Sequence, residues 1–135
     1  MKSQRVWRGI RTSSIALYAT ITACASTHDL NNGPGLFGGG VNHGQIAPGL
    51  YWVVVKTNFK PWSDSSGARR LWRGTARQLC GKSRFDELDP LESKQEVAPR
   101  ALGLVQYVVT TRAGYALCDS SGLGRAQALI LIRDR

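Results

Sequence analysis

The sequence predicts a small α+β domain in which one helix packs on a mainly antiparallel sheet, with the element order β-α-β-β-β. Two patterns support this prediction. Apolar residues recur at helical spacing between residues 68 and 80, and runs rich in β-branched and aromatic residues lie on either side of that segment. The chain has 135 residues, which suits one domain of this kind.

The first predicted strand is LYWVVVKT, residues 50–57, which follows the turn signal Pro48-Gly49. It is apolar on both faces as far as Val55, and this is typical of a central strand. The helix comes next and ends before Gly81, a residue suited to a helix C-terminus. Its apolar stripe comprises Ala68, Leu71, Trp72, Thr75, Ala76, Leu79 and Cys80.

The C-terminal part of the chain predicts a β-meander. Residues 82–100 are polar and acidic with two prolines, and they predict a loop. Residues 102–111 and 115–118 predict two strands joined by a short turn. Residues 126–133 alternate isoleucine and leucine, which favours a last strand over the alternative of a short helix.

A segment rich in glycine, proline and asparagine, residues 24–49, precedes the predicted domain at 50–135. Such a composition buries too little apolar surface to offset the entropy of ordering, so it predicts a flexible tether. Gly33, Gly35 and Gly38 spell GxGxxG. The nucleotide-binding form of that motif follows a strand and opens a helix. Because neither is predicted here, no nucleotide site is expected.

The first 23 residues have the features of an export signal. Four basic residues and no acid lie among the first eleven, and the chain is then uncharged from residue 12 to residue 27. That stretch is too short and too rich in serine and threonine to cross a bilayer as a helix. A basic start, a short apolar middle and small residues at the end are typical of a signal peptide.

The end of this signal, Ile21-Thr22-Ala23-Cys24, resembles the lipobox of bacterial lipoproteins. The resemblance implies that the chain is cleaved before Cys24, that this cysteine is acylated, and that the protein is held in a membrane by its lipid. Ala25, and not aspartate, follows the cysteine, which by resemblance to Gram-negative lipoproteins implies the outer membrane, facing the periplasm. No function-bearing family is recognised for residues 50–135.

Two alternatives to this interpretation remain open. Ala23-Cys24-Ala25 also has the A-x-A form of an ordinary cleavage site, which would release a soluble exported protein that begins at Ser26. In the other alternative the segment is retained by a cytosolic protein that binds nucleic acid. The formal charge of +9 falls to +5 without the signal, because four of the eighteen basic residues and no acid precede Cys24. A nucleic-acid partner is therefore not expected from the charge.

Three cysteines are present, and an odd number in an exported protein leaves one to be explained. Acylation of Cys24 leaves Cys80 and Cys118, which we predict to form a disulfide in an oxidising compartment. The alternative is two free thiols packed in the core. A redox role is not expected, since the sequence has no C-x-x-C motif.

Catalysis, cofactors and metals are not predicted. Both histidines, His28 and His43, lie in the predicted tether, which would not hold a general base in place. These histidines with Asp29 are too few for a metal site. The acidic residues between 86 and 96 lack the glycine and ligand spacing of a calcium loop.

Charge is unevenly distributed along the predicted domain. Six basic residues and no acid lie between Arg69 and Arg84, whereas five acids and one lysine lie between Asp86 and Glu96. Either the two blocks neutralise each other, or the helix binds an anionic partner: lipid head groups, an envelope polymer or an envelope protein. Trp62 either packs on the helix start or contacts that partner. The candidate contact residues are Arg69, Arg70, Arg73, Arg77 and Trp62.

Overall fold

The computed structural model describes residues 28–33, 35–36, 38–99, 103 and 105–135. These residues form four strands, which make one antiparallel sheet in the order β1-β2-β4-β3, and two α-helices. The α+β class and the antiparallel sheet with a helix packed on it are confirmed. In chain order the elements are a 3₁₀ helix (Leu30–Asn32), β1 (Gly40–Ala47), β2 (Leu50–Lys56), α1 (Ser65–Cys80), β3 (Phe85–Val97), β4 (Tyr107–Cys118), a second 3₁₀ helix (Asp119–Ser121) and α2 (Arg125–Arg133).

One face of the two central strands is buried beneath α1, and the other face is buried around Leu50 and Leu117. Val53, Val55 and Ala116 are fully buried beneath α1. Leu50 and Leu117 alternate with them along the strands, so they point to the opposite face. There they pack with α2. This explains why the sequence of β2 is apolar without interruption.

Helix α1 is the predicted helix, with the predicted apolar stripe. Ala68, Trp72 and Ala76 are fully buried, and the Trp72 indole N–H donates a hydrogen bond of 3.1 Å to the carbonyl of Val53. The helix ends at Gly81, whose φ of 63° favours glycine. The predicted stripe therefore seats α1 on the middle of the sheet.

The last element corrects the sequence prediction, because residues 126–133 belong to helix α2 and not to a strand. Both neighbours of β4 in the sheet are already taken by β2 and β3. Ala128, Leu129 and Ile132 share one side of a helix, and they pack on the cluster around Leu50 and Leu117. The apolar residues of this segment thus fit the spacing of a short helix, which was the alternative to a last strand.

Two further predictions in the C-terminal half were wrong. The predicted loop 82–100 contains the edge strand β3, in which Asp89 (φ 50°) and Pro90 fall within a β-bulge between Leu88 and Leu91. An edge strand can be exposed to water on both faces, and β3 therefore carries polar residues on both. For this reason its sequence was interpreted as a loop. The predicted turn at 112–114 is the middle of β4, which runs unbroken from 107 to 118.

The predicted tether also needs correction, because the sheet begins at Gly40 and not at residue 50. The glycines of this segment permit close packing. Gly44 pairs with Trp52 across β1 and β2, and a Cβ atom at this position would collide with the indole ring. Gly38, at φ 79°, lies in the same way against the ring of Phe59. The predicted signal, Cys24 and the first part of the tether lie outside the described residues.

Candidate functional site

The outer side of α1 carries four arginines in one row. Successive residues of a helix are about 100° apart, so Arg69, Arg70, Arg73 and Arg77 fall within an arc of about 100°. All four are exposed, and none of them belongs to the buried stripe. Arg69 and Arg77 are about 12 Å apart along the helix axis at a rise of about 1.5 Å per residue. We call these four residues the arginine face.

The acidic block does not neutralise the arginine face, because two of its carboxylates pair with another arginine. Arg112 of β4 is only 7% exposed. Its Nη2 atom lies 2.6 Å from Oε1 of Glu87, and its Nη1 atom lies 3.5 Å from Oε2 of Glu92. A further acid, Asp86, pairs in register with Leu117 and so lies on the opposite face of the sheet from α1.

Within the part of the chain that the structure describes, none of the four arginines makes an ion pair with a carboxylate. The ion pairs there involve Lys60 with Asp64, Arg84 with Asp119, and Arg112. Mutual neutralisation of the two charge blocks through ion pairs with these arginines is thus not seen in the described residues. The structure presents the arginine face to solvent as an unneutralised basic surface.

The N-terminus of α1 is already capped by a carboxylate. Asp64 accepts a hydrogen bond of 2.9 Å from the backbone N–H of Gly67 and pairs with Lys60. The hydrogen bond from Lys60 is the main cause of the lowered pKa of Asp64, the Gly67 N–H adds to it, and burial opposes it. Because a side chain occupies the helix start, an external anion would meet α1 along its side.

Trp62 lies in the loop between β2 and α1, and its side chain is 62% exposed. This exposure favours the alternative of a partner contact over packing on the helix start. Phe59 of the same loop contacts Tyr107 at a ring-centroid distance of 6.1 Å. The loop is thus fixed by Phe59, and it leaves the indole of Trp62 available to a partner.

A polar cleft of about 220 Å³ lies between β1 and α1. Its lining includes His43, which is an exposed residue of β1 and not part of a tether. Within the described residues there is no group of three or more histidine, cysteine, aspartate or glutamate side chains placed to hold a metal ion. The cleft is lined by Asp29, Asn31, Val41, Asn42, His43, Thr75 and Gln78.

The cysteine pair predicted from the sequence lies at bonding distance. The sulfur atoms of Cys80 and Cys118 are 1.93 Å apart, and their Cα atoms are 5.4 Å apart. The bond joins the end of α1 to the end of β4. It thereby fixes the helix that carries the arginine face to the central part of the sheet.

The ion-pair cluster of Arg112, Glu87 and Glu92 was not predicted from the sequence. Arg112 was assigned to a turn, and the two glutamates to a loop. One signal was available in the sequence. Arg112 is the single charged residue of the segment YVVTTRAGYALC, residues 107–118. A lone charge inside a strand pattern indicates a paired, buried ion.

No helix within the described ranges is both long and apolar enough to cross a membrane. Comparison of the chain with protein-family models, with curated proteins and with solved structures found no match. The candidate site therefore stands on its geometry alone.

Proposed function

We propose that this chain is a lipid-anchored protein of the bacterial cell envelope, held in the outer membrane on its periplasmic side, with a non-catalytic domain that binds an anionic partner. The observation that carries the proposal is Ile21-Thr22-Ala23-Cys24 at the end of a basic, then uncharged, N-terminal segment. Acylation of Cys24 accounts for the third cysteine, because the other two are close enough to be bonded to each other.

The compartment and the fold are consistent with each other in this proposal. Disulfides persist in the periplasm and are rare in the cytosol. Cys118 is 2% exposed and Cys80 is 8% exposed, so the bond between them is enclosed by the core. A buried disulfide of this kind supports an exported protein over the cytosolic alternative.

The arginine face is the proposed binding surface. A guanidinium presents a planar set of donors that fits carboxylate and phosphate groups in a bidentate manner. Four of them along about 12 Å of one helix side suit an extended anion, such as an acidic envelope polymer or the acidic surface of an envelope protein. The alternative of a soluble exported protein would use the same face on an anionic ligand.

The anchor is tested by the mass of the N-terminal peptide of protein purified from membranes of the producing cells. We expect a peptide that begins at Cys24 and carries diacylglycerol, and we expect Cys24→Ser to abolish both the lipid and the membrane association. A peptide that begins at Ser26 without lipid would instead establish the soluble exported alternative. Retention of Met1 would support the cytosolic one.

The arginine face is tested by binding of the mature protein to two probes, inorganic polyphosphate and polyglutamate. Replacement of Arg69, Arg70, Arg73 and Arg77 by glutamine should weaken binding to at least one probe and reduce its dependence on salt. The control removes the same charge elsewhere, with glutamine at Lys82, Arg125, Arg133 and Arg135. Equal losses in both variants would show that net charge, and not this face, binds the anion.

A further inference from the structure

Three exposed apolar side chains lie in three different loops at one end of the sheet. Leu36 is 94% exposed, Trp62 62% and Val105 53%. They belong to the loops before β1, between β2 and α1, and between β3 and β4. We call this end, at which β1 and β4 begin and β2 and β3 end, the Trp62 end.

Hydrogen bonds show that these loops meet at the same end. Gly40 of β1 pairs with Lys56 of β2. The backbone N–H of Asp64 donates to the Thr110 hydroxyl at 2.9 Å, and Lys60 forms a backbone bridge with Val108. The start of α1 and the start of β4 are thus held against the end of β2.

The opposite end of the sheet differs in composition. Its loops comprise residues 48–49, 81–84 and 119–124, and among the described residues none of these exposes a large apolar side chain. They carry charged and small residues, such as Lys82, Arg84 and Asp119. The exposed large apolar side chains of the described loops therefore lie at the Trp62 end, whereas Leu91, Ile130 and Leu131 are exposed within β3 and α2.

The chain leaves the sheet toward its N-terminus at this same end. The carbonyl of His28 accepts a hydrogen bond of 2.7 Å from the N–H of Val41, the second residue of β1. Only residues 25–27 separate His28 from Cys24. Four Cα–Cα steps span at most about 14 Å.

This inference rests on the lipid anchor proposed above. With Cys24 acylated, its lipid chains enter the bilayer and hold the start of β1 within about 14 Å of the head groups. Tryptophan is favoured at the level of the head groups, and Leu36 and Val105 lose contact with water if they enter the same layer. A tether this short gives the surface at the Trp62 end a high effective concentration at the membrane.

We infer that the Trp62 end docks on the phospholipid surface in which Cys24 is anchored, and that it inserts Leu36, Trp62 and Val105 among the head groups. Helix α1 begins at this end and is bonded at its other end, through Cys80, to Cys118. The arginine face therefore extends away from the bilayer. The membrane contact and the proposed anion-binding surface are different parts of the domain.

The test places a fluorescent probe on one cysteine introduced at either end of the sheet. Ser63→Cys labels the exposed loop of Trp62, and Pro48→Cys labels the exposed hairpin turn at the opposite end. The acylated mature protein is reconstituted in vesicles of phosphatidylethanolamine and phosphatidylglycerol. We expect a blue-shifted emission at position 63, with severalfold greater quenching by spin-labelled lipid than at position 48.

A third variant combines Leu36→Ser, Trp62→Ser and Val105→Ser with the label at position 63. All three side chains are exposed, so the fold should be unchanged, and the blue shift should disappear although acylation persists. A shift that survives these changes would overturn the inference, as would water-like emission at both positions in acylated protein. A shift that depends on protein density in the membrane would assign the surface to a second copy.

These outcomes separate the inference from the proposed function. Mass spectrometry of the same sample reports whether Cys24 is acylated. If it is acylated and position 63 stays in water, the docking is refuted while the anchor stands. If it is not acylated, the anchor is refuted and the docking that rests on it is refuted with it.

Discussion

The bond between Cys80 and Cys118 should supply a large share of the stability of the domain. The two residues are 38 positions apart in sequence. Chain-entropy models give about 3 kcal/mol for a loop of about 15 residues and about 4.7 kcal/mol for about 100, so this loop contributes about 4 kcal/mol. Domains are stable by only about 5–15 kcal/mol, so removal of the bond should bring this one close to unfolding.

The variant for this test is Cys80→Ala with Cys118→Ala, because alanine places no hydroxyl group in a buried position. Unfolding in urea can be followed by the fluorescence of the buried Trp72. With an m-value of about 2 kcal/mol/M, the midpoint should fall by about 2 M. Wild-type protein under reducing conditions should match the variant. A midpoint lower by less than about 0.5 M in both samples would refute the loop-entropy argument.

Two further predictions concern charged groups that position α1 and β3. Asp64→Ala should lower the free energy of unfolding by about 1–2 kcal/mol, through the lost helix cap and the partly exposed pair with Lys60, whereas Asp64→Asn retains a cap and should lower it less. The pKa of Asp64 is lowered from its usual 3.8. In urea titrations at a series of pH values, the advantage of wild type over Asp64→Asn should therefore be full above pH 3.8 and should shrink as the pH falls from 3.8 through the lower pKa of the folded state. Arg112→Met should lower the free energy of unfolding by about 2–4 kcal/mol in the same assay, because it leaves two partly buried carboxylates unpaired. Adding Glu87→Gln and Glu92→Gln to this variant should restore most of the lost stability. No restoration would show that Arg112 acts by packing alone.

The parts of the fold that followed from the sequence are those in which one pattern had one interpretation. The stripe of α1 repeats over thirteen residues and ends at a glycine. No strand spacing fits that repeat, so both the helix and its buried side were predicted. The unbroken apolar run of β2 likewise predicted a central strand, and in the structure β2 lies between β1 and β4 with one face buried beneath α1.

The predictions that failed concern the two edge strands, β1 and β3. The residues of an edge strand partly face water, so their polarity does not distinguish a strand from a loop. Strand β3 reads as a polar loop because its outward positions face water and its bulge contains Pro90. Strand β1 was interpreted as a linker because it is rich in glycine. The structure shows that a glycine such as Gly44 is needed there for contact with a neighbouring strand, since a Cβ atom would collide with Trp52. Propensity cannot separate a flexible glycine from one that a neighbouring ring requires.

The structure places the four arginines named from the sequence on the exposed part of α1, but their electrostatics did not follow from the sequence. All four arginines of α1 were identified from helical spacing. Whether the acids of the 86–96 segment neutralise them depends on Arg112, which forms ion pairs with Glu87 and Glu92. That pairing connects residues 20 and 25 positions apart, and it requires the register of β3 on β4. Local sequence does not contain that register.

Because the sheet begins at Gly40 and not at residue 50, the proposed anchor would hold the domain at a shorter distance from the membrane. A flexible tether of about 26 residues would hold the domain at a root-mean-square distance of about 28 Å and let it turn freely. With the proposed anchor, the three residues between Cys24 and His28 would instead keep the Trp62 end within about 14 Å of the bilayer. Helix α1 is about 24 Å long, so Arg77 cannot reach far into the periplasm. If the proposed anchor and binding surface are both right, an anionic partner of the arginine face would have to lie close to the membrane, or approach it, in order to be bound.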